Sequence, residues 1–175
     1  MFQRILVALD SSDLSKNVFD QAIVLAKSTQ ARLMLLHVLS PLEDGYPTPI
    51  YPIPDAIYPV QHEELLRQSA QEYAAFEREG LERLRSDQQA ASQAGVAAEF
   101  TQNTGSPGPT ICHLATTWEA DLIIVGRRGH AGLAELFLGS VSNHVMHHAP
   151  CSVLVVQGVV DESPQAQLEA AAATS

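Results

Sequence analysis

Basic residues are scarce in this chain, with 10 Lys and Arg against 20 Asp and Glu and a formal net charge of −10 at pH 7. The summed field repels polyanions, and no dense Lys/Arg cluster offsets it locally, which argues against DNA, RNA and anionic membrane surfaces as partners. Cysteine is scarcer still. Cys112 and Cys151 are the only two, far apart in sequence, and they fit a reducing compartment better than a disulfide scaffold. No apolar run approaches the roughly 20 residues needed to span a bilayer. The opening MFQRILVALD enters an apolar strand pattern directly, without the layout of a signal peptide, so a cytoplasmic location is expected.

What is present reads as a globular protein. The chain is 46% hydrophobic and 17% charged, and its 175 residues suffice for one domain with an ordinary core but not for two comfortable ones. We expect a single domain over residues 1–157 and a flexible tail over 158–175, where the composition turns polar, small and alanine-rich.

Along the domain, apolar runs alternate with helical patterns. RILVAL (4–9), RLMLLHV (32–38) and DLIIV (121–125) are near-continuous apolar runs of the kind shown by strands covered on both faces, and SVLVV (152–156) reads as a last strand. VAAEFT (96–101) alternates instead, which predicts a strand with one better covered face. Between them, Val18, Phe19, Ala22, Ile23 and Ala26 return at helical spacing, with Ser11, Ser12 or Asp13 available as the N-cap. A long proline-free helix is predicted from His62 to Ala94, closed by Gly95, and shorter ones over TICHLATTWEA and SVSNHVMHHA. Six of the ten prolines fall within residues 40–59, so residues 41–60 form neither helix nor central strand and read as an extended insertion. Its Tyr46, Tyr51, Ile53, Ile57 and Tyr58 gain by covering something, either the domain itself or a protein partner.

Strands alternating with helices imply a three-layer α/β sandwich around a parallel sheet with right-handed crossovers. Ligands in such sheets bind beyond the carboxyl ends of the strands, where strand order reverses. That rule directs attention to Asp10, to Leu39 and to Gly126, which opens the stretch GRRGHAGLAELFLGS (126–140). Glycines remove the Cβ that would hold a ligand off the backbone, and the amides and dipole of a following helix favour an anion, as a phosphate requires. Ser140 and Ser142 could add hydroxyl donors, and Arg127 or Arg128 could screen the charge. The stretch is neither a P-loop, since no Gly-Lys-Ser/Thr closes it, nor a GxGxxG dinucleotide fingerprint.

Gly126, Gly129, Gly139 and Ser140, together with ILVALDSSDLS, LLHV and HAPCSVLVV, resemble the ATP-binding branch of the universal stress protein family over nearly all of residues 1–157. The resemblance implies a Rossmann-like sheet of the adenine nucleotide alpha hydrolase type, five-stranded and parallel in the order 3-2-1-4-5. It also implies ATP, ADP or AMP as ligand, with Mg2+ held through the phosphates. By position, Leu9, Asp10 and Ser11 would lie at the adenosine and Val38 against the adenine. Val125 and Gly126 would approach the ribose, and Gly129, Gly139, Ser140, Val141 and Ser142 would hold the phosphates. A homodimer through the last strand, Ser152 to Val156, follows from the same resemblance. Where family loops often carry basic residues, HAGLAELFL has none and includes Glu135, which implies weaker triphosphate affinity or a preference for AMP.

Other readings of the same residues stay open. Asp10 and Ser11 could cap the first helix, the arginines could be solvated loop charges, and the glycine stretch could be a plain turn. His144, His147 and His148 with Cys151 invite a metal, but the cysteine lies beyond a proline, and imidazoles near a helix C-terminus already gain from the dipole. Cys112 and His113 are adjacent on a helix, where side chains diverge by about 100°, too far for a nucleophile and its base. No carboxylate or histidine is tied by sequence to water activation, so any hydrolysis should be slow. The expected function is a dimeric nucleotide-binding stress regulator. The alternatives are a hydrolase or transferase on the same sheet, and an interaction protein that docks through residues 41–60.

Overall fold

A computed structural model describes residues 1–41, 43, 45–47, 59–127 and 139–157. Strand β1 (Arg4–Leu9) is followed by helix α1 (Leu14–Thr29), β2 (Arg32–Leu39), α2 (Pro59–Gln93), β3 (Ala98–Thr104), α3 (Pro107–Thr117), β4 (Leu122–Arg127), α4 (Ser140–His148) and β5 (Ser152–Gln157). The strands form one parallel sheet in the order β3-β2-β1-β4-β5, as expected. The central strand β1 therefore pairs with β2 on one side and β4 on the other, in register from Ile5 against both Leu33 and Leu122.

The continuous apolar runs have a direct cause in this layering. Successive side chains on a strand point to opposite faces. Ile5, Val7, Leu33, Leu35 and Ile124 pack into one core layer with α1 and α2, while Leu6, Met34, Leu36, Val38 and Ile123 pack into the other with α3 and α4. A strand covered on both sides must be apolar at every position. β3 lies at one edge and keeps mostly half-buried positions, so its polar AEFTQNT sequence is tolerated. It begins at Ala98 and not at Val96, because the Val96 amide closes α2 by donating to the Ala91 carbonyl. The Gly95 amide donates to Ser92 in the same turn, and Gly95 itself adopts φ of +79°, which completes the helix stop expected of it.

Helix α2 starts at Pro59, three residues ahead of the sequence expectation, with proline at the first helical position where its missing N–H costs nothing. Its Phe76, Gly80, Leu84 and Ala91 face the domain, whereas Leu65 and Leu66 are exposed. Of the proline-rich insertion, Tyr46 packs edge-on against Tyr73 and Phe76 of α2, with ring centroids 6.0 and 5.6 Å apart. Tyr51, Ile53, Ile57 and Tyr58 lie outside the described residues, as does the expected tail over 158–175. Among the described residues, no helix is long and apolar enough to cross a membrane.

Candidate functional site

A cavity of about 370 Å³ opens at the carboxyl ends of β1, β2 and β4. Leu9 and Asp10 wall it from β1, Val38 from β2, and Val125 and Gly126 from β4. Gly139, Ser140, Val141 and Ser142 close it from the start of α4. The topology brings these segments together because β1 is central, so the turn after it faces the ends of both neighbours. Arg127 ends β4 and Ser11 follows Asp10, and neither lines this cavity. Gly129, Arg128 and Glu135 lie outside the described residues.

The turn after β1 is built around one carboxylate oxygen. Asp10 Oδ1 accepts from the Ser12 amide at 3.0 Å, from the Ser12 hydroxyl, and from the Ser15 hydroxyl at 2.8 Å. The Asp10 amide in turn donates to Ser15 Oγ at 2.7 Å. The N-cap position of α1 is Asp13, whose side chain makes no capping bond. Asp10 thus organises the approach to the helix from outside it while lining the cavity.

Gly126 is required for a reason that sequence did not supply. A Cβ there would stand 2.9 Å from Leu14 Cδ2 and 3.2 Å from Val18 Cγ2, so the missing side chain makes room for α1. At the opposite flank, Gly139 precedes α4 and brings no side chain to cap it. The Ser142 hydroxyl donates to the Gly139 carbonyl at 3.0 Å and is buried, so residue 142 offers a ligand its amide and not its hydroxyl. The start of α4, at the positive end of the helix dipole, lines the cavity, and its N-cap Gly139 makes no side-chain capping bond, which is a setting for an anion.

A second cavity of about 440 Å³ lies behind the β1–α1 turn, between it and α2, and Ser11 lines that one. Acids and bases mix along its wall, with Asp13, Lys16, Arg83 and Asp87, and the start of α1 that borders it carries the acidic Asp13 at its N-cap, a poor seat for an anion. Burial pushes the half-buried Asp87 carboxyl up from its ordinary range, with Arg83 pulling it part of the way back. Of the two cavities, the first is the better setting for an anion.

Sequence reasoning missed His37 and Glu43. They are 3% and 7% exposed, and His37 Nε2 lies 2.8 and 2.9 Å from the two Glu43 carboxylate oxygens. The available signal was His37 itself, a polar residue inside the apolar run of β2. The histidines of α4 are otherwise engaged. The His144 and His148 rings stack with centroids 4.2 Å apart, and His148 Nδ1 donates to the His144 carbonyl at 2.9 Å. Cys112 and Cys151 pack against the α3/α4 core layer, and burial pushes both thiols up, Cys151 further raised by the nearby Asp121 charge.

A family model described as the universal stress protein family matches residues 1–157. The chain belongs to that family. A universal stress protein of Synechocystis is 40% identical over 156 residues, covering 89% of this chain and 98% of that protein. Among solved structures, the universal stress protein UspA of Lactobacillus plantarum is 30% identical with a TM-score of 0.62, covering 89% of this chain and 97% of its own. A universal stress protein solved in complex with cAMP is 26% identical with a TM-score of 0.56, again over 89% and 97% of the two chains.

Proposed function

We propose that this universal stress protein binds an adenine nucleotide in the cavity at the ends of β1, β2 and β4, and acts as a dimeric cytoplasmic stress regulator. The observation that carries the reading is the shared lining. One cavity gathers Asp10, Val38, Gly126 and the start of α4, which are the parts a nucleoside and its phosphates need in the order they need them. The relative solved with cAMP supports adenine nucleotides as the ligand class.

In this reading the base and ribose lie against Val38, Leu9 and Asp10, and the phosphates lie on Gly139 and the amides of Ser140, Val141 and Ser142, completed by Gly129. ATP, ADP and AMP share this placement. Mg2+ accompanies ATP through its phosphates, since Asp10 Oδ1 and the Glu43 carboxylate are engaged by donors of the fold. Among the described residues lining the cavity, those engagements leave no carboxylate set for water activation, so the role we assign is binding with at most slow hydrolysis. β5 is an edge of the sheet and presents a row of backbone groups to a second copy of the chain. Tyr46 seated on α2 supports an insertion that covers its own domain in preference to one held out for a partner.

The test is mass spectrometry of nucleotide co-purifying with the protein. Calorimetric titration of ATP, ADP and AMP with Mg2+ into stripped wild type and Gly129→Val follows. Binding in the wild type that the valine abolishes is the expected result. Equal affinity in both, or none in either, refutes the placement on the glycine stretch.

A further inference from the structure

His37 and Glu43 are buried beside the cavity and have no part in the nucleotide contacts proposed above. On β2, His37 follows Leu33 and Leu35 at a period of two, which turns it toward the α1/α2 layer. There its Nε2 meets both Glu43 oxygens, and Glu43 Oε1 also accepts the Ser11 amide at 2.9 Å. The other ring nitrogen, Nδ1, is buried with no hydrogen-bond partner. Gly80 of α2 closes it off, because a Cβ at that position would stand 2.6 Å away.

This enclosure selects the tautomer. A hydrogen on Nδ1 would be a buried donor without an acceptor, whereas a hydrogen on Nε2 is shared between two carboxylate oxygens, and a bare lone pair is the cheaper orphan. His37 therefore donates, and Glu43 accepts from the imidazole and from the Ser11 amide together. The bonds from Asp10 to Ser12 and Ser15 are local, but the Ser11 to Glu43 bond spans 32 residues and joins the turn to the end of β2.

We propose that Glu43, steadied by His37, is a positioning residue for the nucleotide site: it fixes the Ser11 amide and with it the Asp10–Asp13 turn that walls the base and ribose end of the cavity. Glu43 lines that cavity itself, on the β2 side of β1. The start of α4 lies on the β4 side, about 10 Å across two strand spacings. A carboxylate at one flank and a helix N-terminus at the other give an anionic ligand a single favourable direction.

The affinity part of the test rests on the nucleotide reading, so the experiment includes a readout without ligand. The full chain is compared with Glu43→Ala and Glu43→Gln by amide exchange at Ser11, by the ring-nitrogen shifts of His37, and by calorimetry with AMP. We expect the Nε2–H tautomer in the wild type. In the alanine variant, Ser11 exchange should quicken and AMP affinity should fall by about tenfold each, with partial rescue by glutamine, whose carbonyl still accepts the Ser11 amide. Unchanged exchange and unchanged affinity in Glu43→Ala, or a hydrogen found on Nδ1, overturns the proposal. If Glu43→Ala does not fold, the glutamine variant and the wild-type tautomer decide. If the wild type binds no AMP, the nucleotide reading fails and Ser11 exchange alone decides the positioning role.

Discussion

Asp10 Oδ1 accepts from the Ser12 amide and from the Ser12 and Ser15 hydroxyls, so replacing it leaves donors without an acceptor at a half-buried turn. Asp10→Ala should cost about 1–3 kcal/mol in urea unfolding, and Asp10→Asn less, because its carbonyl oxygen still accepts. Asp87 makes the opposite kind of prediction. Its carboxyl is held above the ordinary value of 3.8 chiefly by burial, so the folded state favours the protonated form. That contribution is fully present at acid pH and is lost as pH rises through the folded value. Asp87→Asn should therefore be somewhat more stable than wild type at pH 7, with the difference vanishing below about pH 4 in thermal melts. The side chain is only half buried, so the gain is a small fraction of the total stability.

Two glycines on or beside α2 separate two costs that are often confounded. Gly95 has φ of +79° and open space where a Cβ would go, so Gly95→Ala should cost about 1 kcal/mol from the backbone alone. Gly80 is an ordinary helical residue whose added Cβ would strike the His37 ring at 2.6 Å, so Gly80→Ala should cost about 2 kcal/mol or more through displaced packing. Paired denaturation curves would order them, and Gly95→Ala proving the costlier would count against the His37 enclosure. Gly95 was legible because a glycine after a long proline-free run has one common use. β1, β2 and β4 were legible because burial on both faces leaves only apolar residues in a row. β3 was displaced by two residues because an edge strand need not announce itself, and Val96, apolar and buried, belongs to the helix stop. His37 and Glu43 were missed for another reason. His37 stood out as a polar residue within β2, but its partnership depends on a turn after β2 that periodicity does not describe, and Glu43 carried no pattern. Ser11 was placed at the ligand as a neighbour of Asp10, and its amide donates to Glu43. The cavity, by contrast, followed from topology once strand order was known.

At the scale of the whole molecule, the proposed homodimer rests on β5, where Leu154 is 39% exposed at the open edge of the sheet. Leu154→Lys should convert a dimer to monomer in sedimentation velocity while leaving the far-UV circular dichroism unchanged, since a charged edge resists pairing. A wild type that sediments as a monomer at micromolar concentration would remove the dimer from the proposal. The position of β1 between β2 and β4 has a further consequence, for the order in which a growing chain acquires its site. A ribosome adds about 5–20 residues each second. Asp10 and Val38 therefore emerge well before Gly126, Gly139 and Ser140. A nascent chain stopped before β4 would have one wall of the cavity and no seat for an anion. A bound nucleotide of the kind proposed would then act as a clasp between β1 and α4, two elements made well apart in time.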